Sequence, residues 1–226
     1  MDLPKLDNTN LWDKTYVILK DRILKRDFQA DEKLSIPELA SQLGVSRTPI
    51  RDALNRLETE GLVKTISKVG TFVNAIDTED FLNIMDTRLM LELWIIDKLS
   101  VLAPEKLHEM ISPLENILNQ ASQLVVKLPV DEFLQLNYNL QFHVEFIKLG
   151  NNKRNVEIYL SLMQYQFLAI ELTTREMVIN AIRQHYLIID ALKMHNFEEA
   201  RTAIRLHLED SKNRLLEQLE SNGGKL

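Results

Sequence analysis

The sequence contains no cysteine, and this absence excludes several structures and chemistries. A disulfide scaffold, a zinc finger with cysteine ligands, an iron–sulfur cluster and a thiol nucleophile all need that residue. Glycine and proline are scarce as well, with six of each among 226 residues. No glycine lies between Gly70 and Gly150. Because this stretch is rich in residues that favour helices, we expect it to be helical.

The sequence also lacks a long apolar run and an N-terminal export signal. No run approaches the roughly 18 residues that a membrane span needs. Residues 1–5 have neither the basic nor the apolar region of a signal peptide. We therefore expect a cytoplasmic protein with no membrane partner.

The charge is unevenly divided along the chain. The net charge of −6, taken alone, argues against a nucleic-acid binder. Residues 1–76 contain 12 Lys and Arg against 11 Asp and Glu, a balance of +1, and residues 77–226 contain 15 against 22, a balance of −7. Only the first third of the chain is therefore suited to a polyanionic partner.

Residues 1–76 have the pattern of a small helical domain followed by a hairpin. Gly44 and Gly61 stand where two of the predicted helices end, and Ser46 is a good N-cap for the third. This order of elements is typical of a winged helix-turn-helix. The predicted elements are helices near 10–26, 35–43 and 46–60, and strands near 62–66 and 71–74.

The third predicted helix has two distinct faces. Its apolar stripe consists of Ile50, Ala53, Leu54 and Leu57, and its polar side presents Arg47, Thr48, Arg51 and Asn55. An Arg near the start of such a helix is able to reach guanine edges or phosphates. Lys64 and Lys68 could bring the wing to the DNA backbone. The pattern by itself leaves both DNA binding and protein contacts open.

A longer motif narrows this choice. The chain reads LASQLGVSRTPIRDAL from Leu39, then RLE and EGLV up to Val63, and GTFV at 70–73. This resembles the DNA-binding signature of the GntR family of bacterial transcription regulators. The resemblance implies that Arg47 and Arg51 contact bases or phosphates, supported by Ser46 and Thr48. It also implies that Gly70 lets the wing approach the minor groove.

One stretch departs from the family pattern. Many members carry an Arg in the short second helix that touches DNA, whereas the matching residues here are Ile36, Pro37 and Glu38.

The second predicted domain, residues 77–226, is an all-α bundle of about six helices. Asn196 is the predicted turn between the last two helices, and His185 and His207 each lie 11 residues from it. In an antiparallel pair such residues face each other, and the helix with Asn139 and His143 at i and i+4 can join them. The predicted helices lie near 78–102, 104–125, 130–149, 152–172, 174–195 and 196–220.

Three imidazoles with an open position describe a site for zinc, nickel or a similar divalent ion. The alternative from the residues alone is that these histidines are core residues bonded to backbone carbonyls.

This region resembles the FCD effector domain of the same regulator family. The matching residues are Asn139, His143, Asn151, His185 with Ile189-Asp190-Ala191, Ala200, and His207-Leu208. The resemblance implies that Asn139 and the three histidines hold a divalent metal at the floor of a ligand cavity. Asn139 replaces the commoner Asp. Arg88 and Glu92 match the family's Arg-x3-Glu pair, which implies that Arg88 clamps an effector carboxylate. Six helices point to the six-helix branch of the family.

The sequence thus predicts a mostly α protein, and not an enzyme. We expect a homodimeric regulator, either repressor or activator, that binds palindromic operator DNA and responds to a small carboxylate effector. One alternative is a regulator for which the metal ion is itself the signal. Another is a metal-dependent hydrolase with Glu92 or Asp190 as general base.

Overall fold

The chain forms two compact units, one ending at residue 76 and the other beginning at Asp77. A computed structural model of the protein describes residues 9–24, 27–75, 77–163 and 173–221. Within these ranges no helix is both long enough and apolar enough to cross a membrane. The mostly helical architecture predicted from the sequence, with a winged helix-turn-helix before a helical region, is confirmed.

The first unit contains three helices and a three-stranded antiparallel sheet in its described part. The strand order is β1-β3-β2, in which β2 and β3 form the hairpin and β1 adds a strand that the sequence did not predict. In the hairpin Val63 pairs with Val73, and Ile66 pairs with Gly70. The elements are α1 (Thr9–Leu24), β1 (Lys33–Leu34), α2 (Ile36–Leu43), α3 (Arg47–Thr59), β2 (Val63–Ile66) and β3 (Gly70–Val73).

The turn between α2 and α3 positions the third helix. Gly44 ends α2 in the left-handed region, with φ of 65°, and its N–H bonds back to the last turn of the helix. Ser46 precedes α3 in an extended conformation, but its side chain forms no capping hydrogen bond. The predicted apolar stripe of α3, Ile50, Ala53, Leu54 and Leu57, is fully buried. This burial leaves the opposite side of α3 in solvent.

The second unit contains seven helices in its described part. The prediction of one helix over 130–149 is wrong, because Asn137 has a φ of 54° and separates two helices there. The predicted helix over 152–172 is present up to Met163, and the remaining residues lie outside the described ranges. The helices are α4 (Thr78–Leu99), α5 (Pro104–Leu124), α6 (Val130–Gln135), α7 (Tyr138–Lys148), α8 (Lys153–Met163), α9 (Arg175–Lys193) and α10 (Phe197–Ser221).

Helix packing brings five helices of the second unit together. α9 packs along α10, while α4 packs against α7, α8 and α10. Thr174 caps α9 through a hydrogen bond that its side chain accepts from Met177 N–H. The inward faces of α4, α7, α8, α9 and α10 therefore converge, and each of these helices contributes to the site described next.

Candidate metal and DNA-binding sites

Three histidines from three helices meet in the interior of the second unit. His143 lies on α7, His185 on α9 and His207 on α10, and each side chain is at most 2% exposed. Their Nε2 atoms form a triangle with sides of 3.1 Å between His143 and His207, 3.1 Å between His185 and His143, and 3.2 Å between His185 and His207. The convergence expected from the spacing around Asn196 is therefore present in the structure.

This triangle fits the donor set of a divalent ion. Zinc with tetrahedral Zn–N bonds of about 2.0–2.1 Å places its nitrogen ligands about 3.3–3.4 Å apart. Burial lowers the pKa of His143, and it lowers the pKa of His185 and His207 well below the usual range. Neutral imidazoles are the form that binds a metal. Among the described residues, no Asp, Glu or Cys joins these three histidines as a possible ligand.

A buried acid–base network lies directly behind His143. Glu92 Oε1 accepts hydrogen bonds from Arg88 Nε at 2.8 Å and from Tyr159 Oη at 2.7 Å. His143 Nδ1 lies 3.2 Å from the same oxygen, at an ion-pair distance but without good hydrogen-bond geometry. Although burial alone opposes ionisation, His143 and Arg88 hold the pKa of Glu92 well below its usual range. Glu92 is therefore an ionised carboxylate that favours a proton on His143 Nδ1.

Arg88 brings unused hydrogen-bond donors into this interior. Its side chain is 1% exposed, and Nη1 and Nη2 have no hydrogen-bond partner among the described residues. Buried guanidinium donors without partners are costly, and a carboxylate is the group that matches their fork geometry. The predicted i,i+4 pair of Arg88 and Glu92 is thus a buried pair with one edge of the guanidinium left free.

Two further contacts fix the other imidazole rings. Phe142 stacks on His185, with ring centroids 4.1 Å apart and an interplanar angle of 16°. Gln184 Oε1 lies 2.8 Å from His207 Nδ1, and Gln184 Nε2 donates to Asp210. Each histidine therefore has its own neighbour that restricts the direction of its Nε2 atom.

The structure places the other predicted site residues differently. The expectation that Asn139 faces inward is wrong, because Asn139 is exposed in the first turn of α7, just after the left-handed Asn137. Asp190 is exposed as well. Glu92 already accepts from two donors, so neither acid stands free as a general base beside the histidines.

The exposed side of α3 and the wing present basic groups. Arg47, Thr48 and Arg51 on α3, with Ser46 before it, are exposed, and so is Lys68 in the hairpin turn. Within the described ranges no hydrogen bond or ion pair is formed by the side chains of Arg47, Arg51 or Lys68. Gly70 has a φ of 146°, a conformation that few other residues adopt.

Several other basic groups of this unit form ion pairs within it. Lys64 Nζ pairs with Asp31 at 2.7 Å. Arg56 pairs with Asp13 at 2.8 Å, and its guanidinium lies 3.9 Å from the centre of the Tyr16 ring. Arg47 and Arg51 at the start of α3 and Lys68 in the hairpin turn are exposed basic groups that no such pair occupies.

Comparisons with known proteins match both units to family models. Residues 11–73 match the gntR family of bacterial regulatory proteins, and residues 83–210 match the FCD domain. An HTH-type transcriptional regulator in an unstable DNA locus of Streptomyces ambofaciens is 31% identical over 196 residues, which is 85% of this chain and 80% of that protein. The HTH-type regulator YdhC of Bacillus subtilis (strain 168) is 26% identical over 92% of each protein.

A solved structure shares the fold. The GntR transcriptional regulator from Rhodococcus sp. RHA1 superimposes with a TM-score of 0.72 at 23% identity, covering 92% of this chain and 99% of that one. The winged helix-turn-helix unit and the helical unit together define a two-domain transcription regulator. The chain belongs to the GntR family and carries an FCD domain. The family and these relatives are regulators and not enzymes, which argues against the hydrolase.

Sequence reasoning missed three contacts of the candidate metal site. Glu92 was predicted as the partner of Arg88, but its contact with His143 was not predicted. Tyr159 and Gln184 were not singled out at all. Gln184 directly precedes His185 in the sequence, yet its side chain contacts His207 on the facing helix α10. Only the packing of α9 on α10 reveals this pairing, since adjacent residues on one helix point in different directions.

Proposed function

We propose that the chain is a homodimeric transcription regulator of bacterial cytoplasm whose DNA affinity is set by a small carboxylate effector. In this proposal residues 1–76 bind palindromic operator DNA, and residues 77–226 bind the effector and form the dimer. The observation that carries the proposal is the buried histidine triangle beside an arginine with two free donors.

His143, His185 and His207 are the proposed ligands of a divalent metal, zinc or nickel or a similar ion. Bound there, the ion supplies positive charge and an open position for an anionic oxygen. The residues around it hold the three rings in neutral form and in fixed orientation. Asn139 is exposed and is not among the proposed ligands, so its removal is expected to leave metal affinity unchanged.

Arg88 is the proposed carboxylate clamp. Its Nε is committed to Glu92, which fixes the guanidinium plane, while Nη1 and Nη2 remain free for two parallel hydrogen bonds. A ligand changes DNA binding only to the extent that it binds the two conformations of the regulator differently. The effector is therefore expected to act by favouring one arrangement of the helical domains over another.

The effector site is tested with Arg88→Lys, which keeps the positive charge beside Glu92 but loses the paired Nη1 and Nη2 donors of the guanidinium. Screening small carboxylates by thermal shift on metal-loaded protein identifies a ligand, and calorimetry then compares affinities. We expect at least about tenfold weaker effector binding, from hydrogen bonds to charged groups of about 1.5–3 kcal/mol. Metal content should not change. Arg205→Lys, at an exposed position of α10, is the matched control. Equal effector affinity in both variants would remove Arg88 from the site.

DNA recognition is proposed for Arg47 and Arg51, with Ser46, Thr48, Lys68 and Gly70 in support. Arg51→Ala should weaken specific binding by about 1–3 kcal/mol if the guanidinium reads a base edge. Lys68→Ala should lower the salt dependence of binding by about one unit of slope. Fluorescence anisotropy on a selected operator and on random duplex measures both effects.

Lys153→Ala controls for the loss of one positive charge, because Lys153 is exposed and lies in the helical unit. It should leave the salt dependence unchanged. If Arg51→Ala weakens specific and random DNA equally, Arg51 contacts phosphates and does not read bases.

The second candidate is a regulator for which the metal ion is itself the signal. The chain alone supplies three histidine ligands for the ion, and this observation favours the second candidate. DNA affinity measured with chelator, with metal alone, and with metal plus carboxylates separates the two functions. A full response to metal alone supports the metal signal. A response that also requires a carboxylate supports the effector-responsive regulator.

A further inference from the structure

A hydrogen-bonded chain runs from the histidine triangle towards the surface between α9 and α10. His207 Nδ1 lies 2.8 Å from Gln184 Oε1, and Gln184 Nε2 donates to Asp210 Oδ2. His207 is buried, whereas Gln184 and Asp210 are half-buried. Both contacts join α9 to α10, between residues 23 and 26 positions apart in the sequence.

The carboxylate of Asp210 determines which way the Gln184 amide points. A carboxylate only accepts hydrogen bonds, so it selects the NH₂ side of the amide. The amide oxygen must then face His207 Nδ1. Because that oxygen is an acceptor, Nδ1 must carry the imidazole proton. The lone pair of His207 is consequently on Nε2, the atom that faces His143 and His185.

We propose that Gln184, oriented by Asp210, is a positioning residue that fixes the tautomer and ring direction of His207 for metal binding. This inference rests on the proposed metal site. Hydrogen bonds to the second nitrogen of a ligating histidine commonly change metal affinity by about 10–100-fold. Glu92 and Phe142 restrict the other two rings, so Gln184 and Asp210 complete the set of neighbours that aim three nitrogen atoms at one point.

The test measures metal affinity by competition with a chromophoric chelator, using zinc and then nickel. Gln184→Leu should weaken binding by about 10–100-fold, since His207 loses its acceptor. Asp210→Asn should cause a smaller loss, because an asparagine amide is able to pair with either side of Gln184. Asn119→Ala is the control, as Asn119 accepts a hydrogen bond from Tyr186 on α9 and has no contact with the histidines.

An exchanged pair distinguishes positioning from simple loss of packing. Gln184→Glu combined with Asp210→Asn places a carboxylate beside His207 Nδ1 and an amide that donates to this carboxylate at position 210. The net charge does not change. This double variant should recover most of the affinity lost in Gln184→Leu. Gln184→Glu alone should not, because it sets two carboxylates side by side. Thermal unfolding in chelator reports whether each metal-free variant still folds.

Three results overturn the proposal in different ways. If wild-type protein loads no stoichiometric metal, the metal site itself is wrong. If wild-type protein loads metal, and Gln184→Leu binds it as tightly while the exchanged pair binds no better, Gln184 has no positioning role. A third result is that the variants lose metal affinity and also unfold more easily without metal, while the exchanged pair recovers neither. Gln184 would then contribute to structure alone, and the proposal would be overturned.

Discussion

At the scale of single residues, the second unit depends on a charge pair that has been taken out of water. Arg88 and Glu92 are each 1% exposed, and one oxygen of Glu92 serves Arg88 and Tyr159 together. Removing one partner of such a pair leaves the other charged and unpaired in the interior. The pair is therefore a point at which a single substitution should strongly affect folding.

Glu92→Leu is expected to destabilise the protein by about 3–5 kcal/mol, because Arg88 stays buried without its counter-charge. Urea unfolding of the metal-free protein measures the change. Combining Glu92→Leu with Arg88→Met removes both charges and should restore a large part of the stability. Recovery should be incomplete, since Tyr159 loses its acceptor. A double variant no more stable than Glu92→Leu alone would contradict this account.

The residues of the candidate metal site were predictable to different degrees. His185 and His207 could be paired because their equal distances from Asn196 follow from the geometry of two antiparallel helices. The contacts of Tyr159 with Glu92 and of Gln184 with His207 could not be predicted. Each depends on how separate helices are rotated against one another. The i,i+4 spacing also did not distinguish Asn139, which is exposed in the first turn of α7, from His143, which is buried.

At the scale of elements, glycines and caps predicted helix boundaries well where the pattern was strong. Gly44 ends α2 as expected, whereas the break between α6 and α7 was missed because Asn137 interrupts an otherwise continuous apolar periodicity. The strand β1 was also missed. It contains two residues, Lys33 and Leu34, and is defined by its pairing with β3 and not by any local pattern.

Gly150 shows how a connection can depend on close packing. An added Cβ at this position would lie 2.5 Å from a ring atom of Trp94 and 2.6 Å from Ile95 Cδ1, both on α4. Ile95 is fully buried, so it has little room to move. We expect Gly150→Ala to destabilise the protein by about 1–3 kcal/mol through overpacking.

Differential scanning calorimetry of Gly150→Ala beside Gly44→Ala tests the cause. At Gly44 an added Cβ meets no atom within 4 Å, so only the left-handed backbone resists substitution, at about 1–2 kcal/mol. A third variant, Gly44→Asn, should lose less stability than Gly44→Ala, since Asn tolerates this conformation. Wild-type stability in Gly150→Ala would show that α4 gives way without cost.

At the scale of the whole molecule, the charge distribution limits how one chain can bind DNA. Residues 77–226 carry a balance of −7, while residues 1–76 carry +1. A single winged unit offers few free basic groups, and the acidic helical unit repels the same polyanion. Two copies on a two-fold operator double the phosphate contacts without adding charge to either chain.

The helical unit also has apolar surface suited to a second copy. Met90 on α4, Leu187 on α9 and Leu206 on α10 are each more than half exposed. Apolar side chains mark protein–protein contacts where they form one contiguous patch, and the proposed dimer would bury these three together. We therefore expect sedimentation equilibrium at micromolar concentration to give about twice the chain mass of 26.3 kDa.

The same dimer should be visible in the salt dependence of DNA binding. Each phosphate contact contributes about −0.9 to the slope of log affinity against log salt. A full operator engages two winged units and a single half-site engages one, so the slope on the full operator should be about twice that on the half-site. Arg51→Ala in both copies should weaken binding to the full operator by about twice the free energy lost on the half-site. Equal slopes on both duplexes, with a monomer in sedimentation, would mean that one chain acts alone.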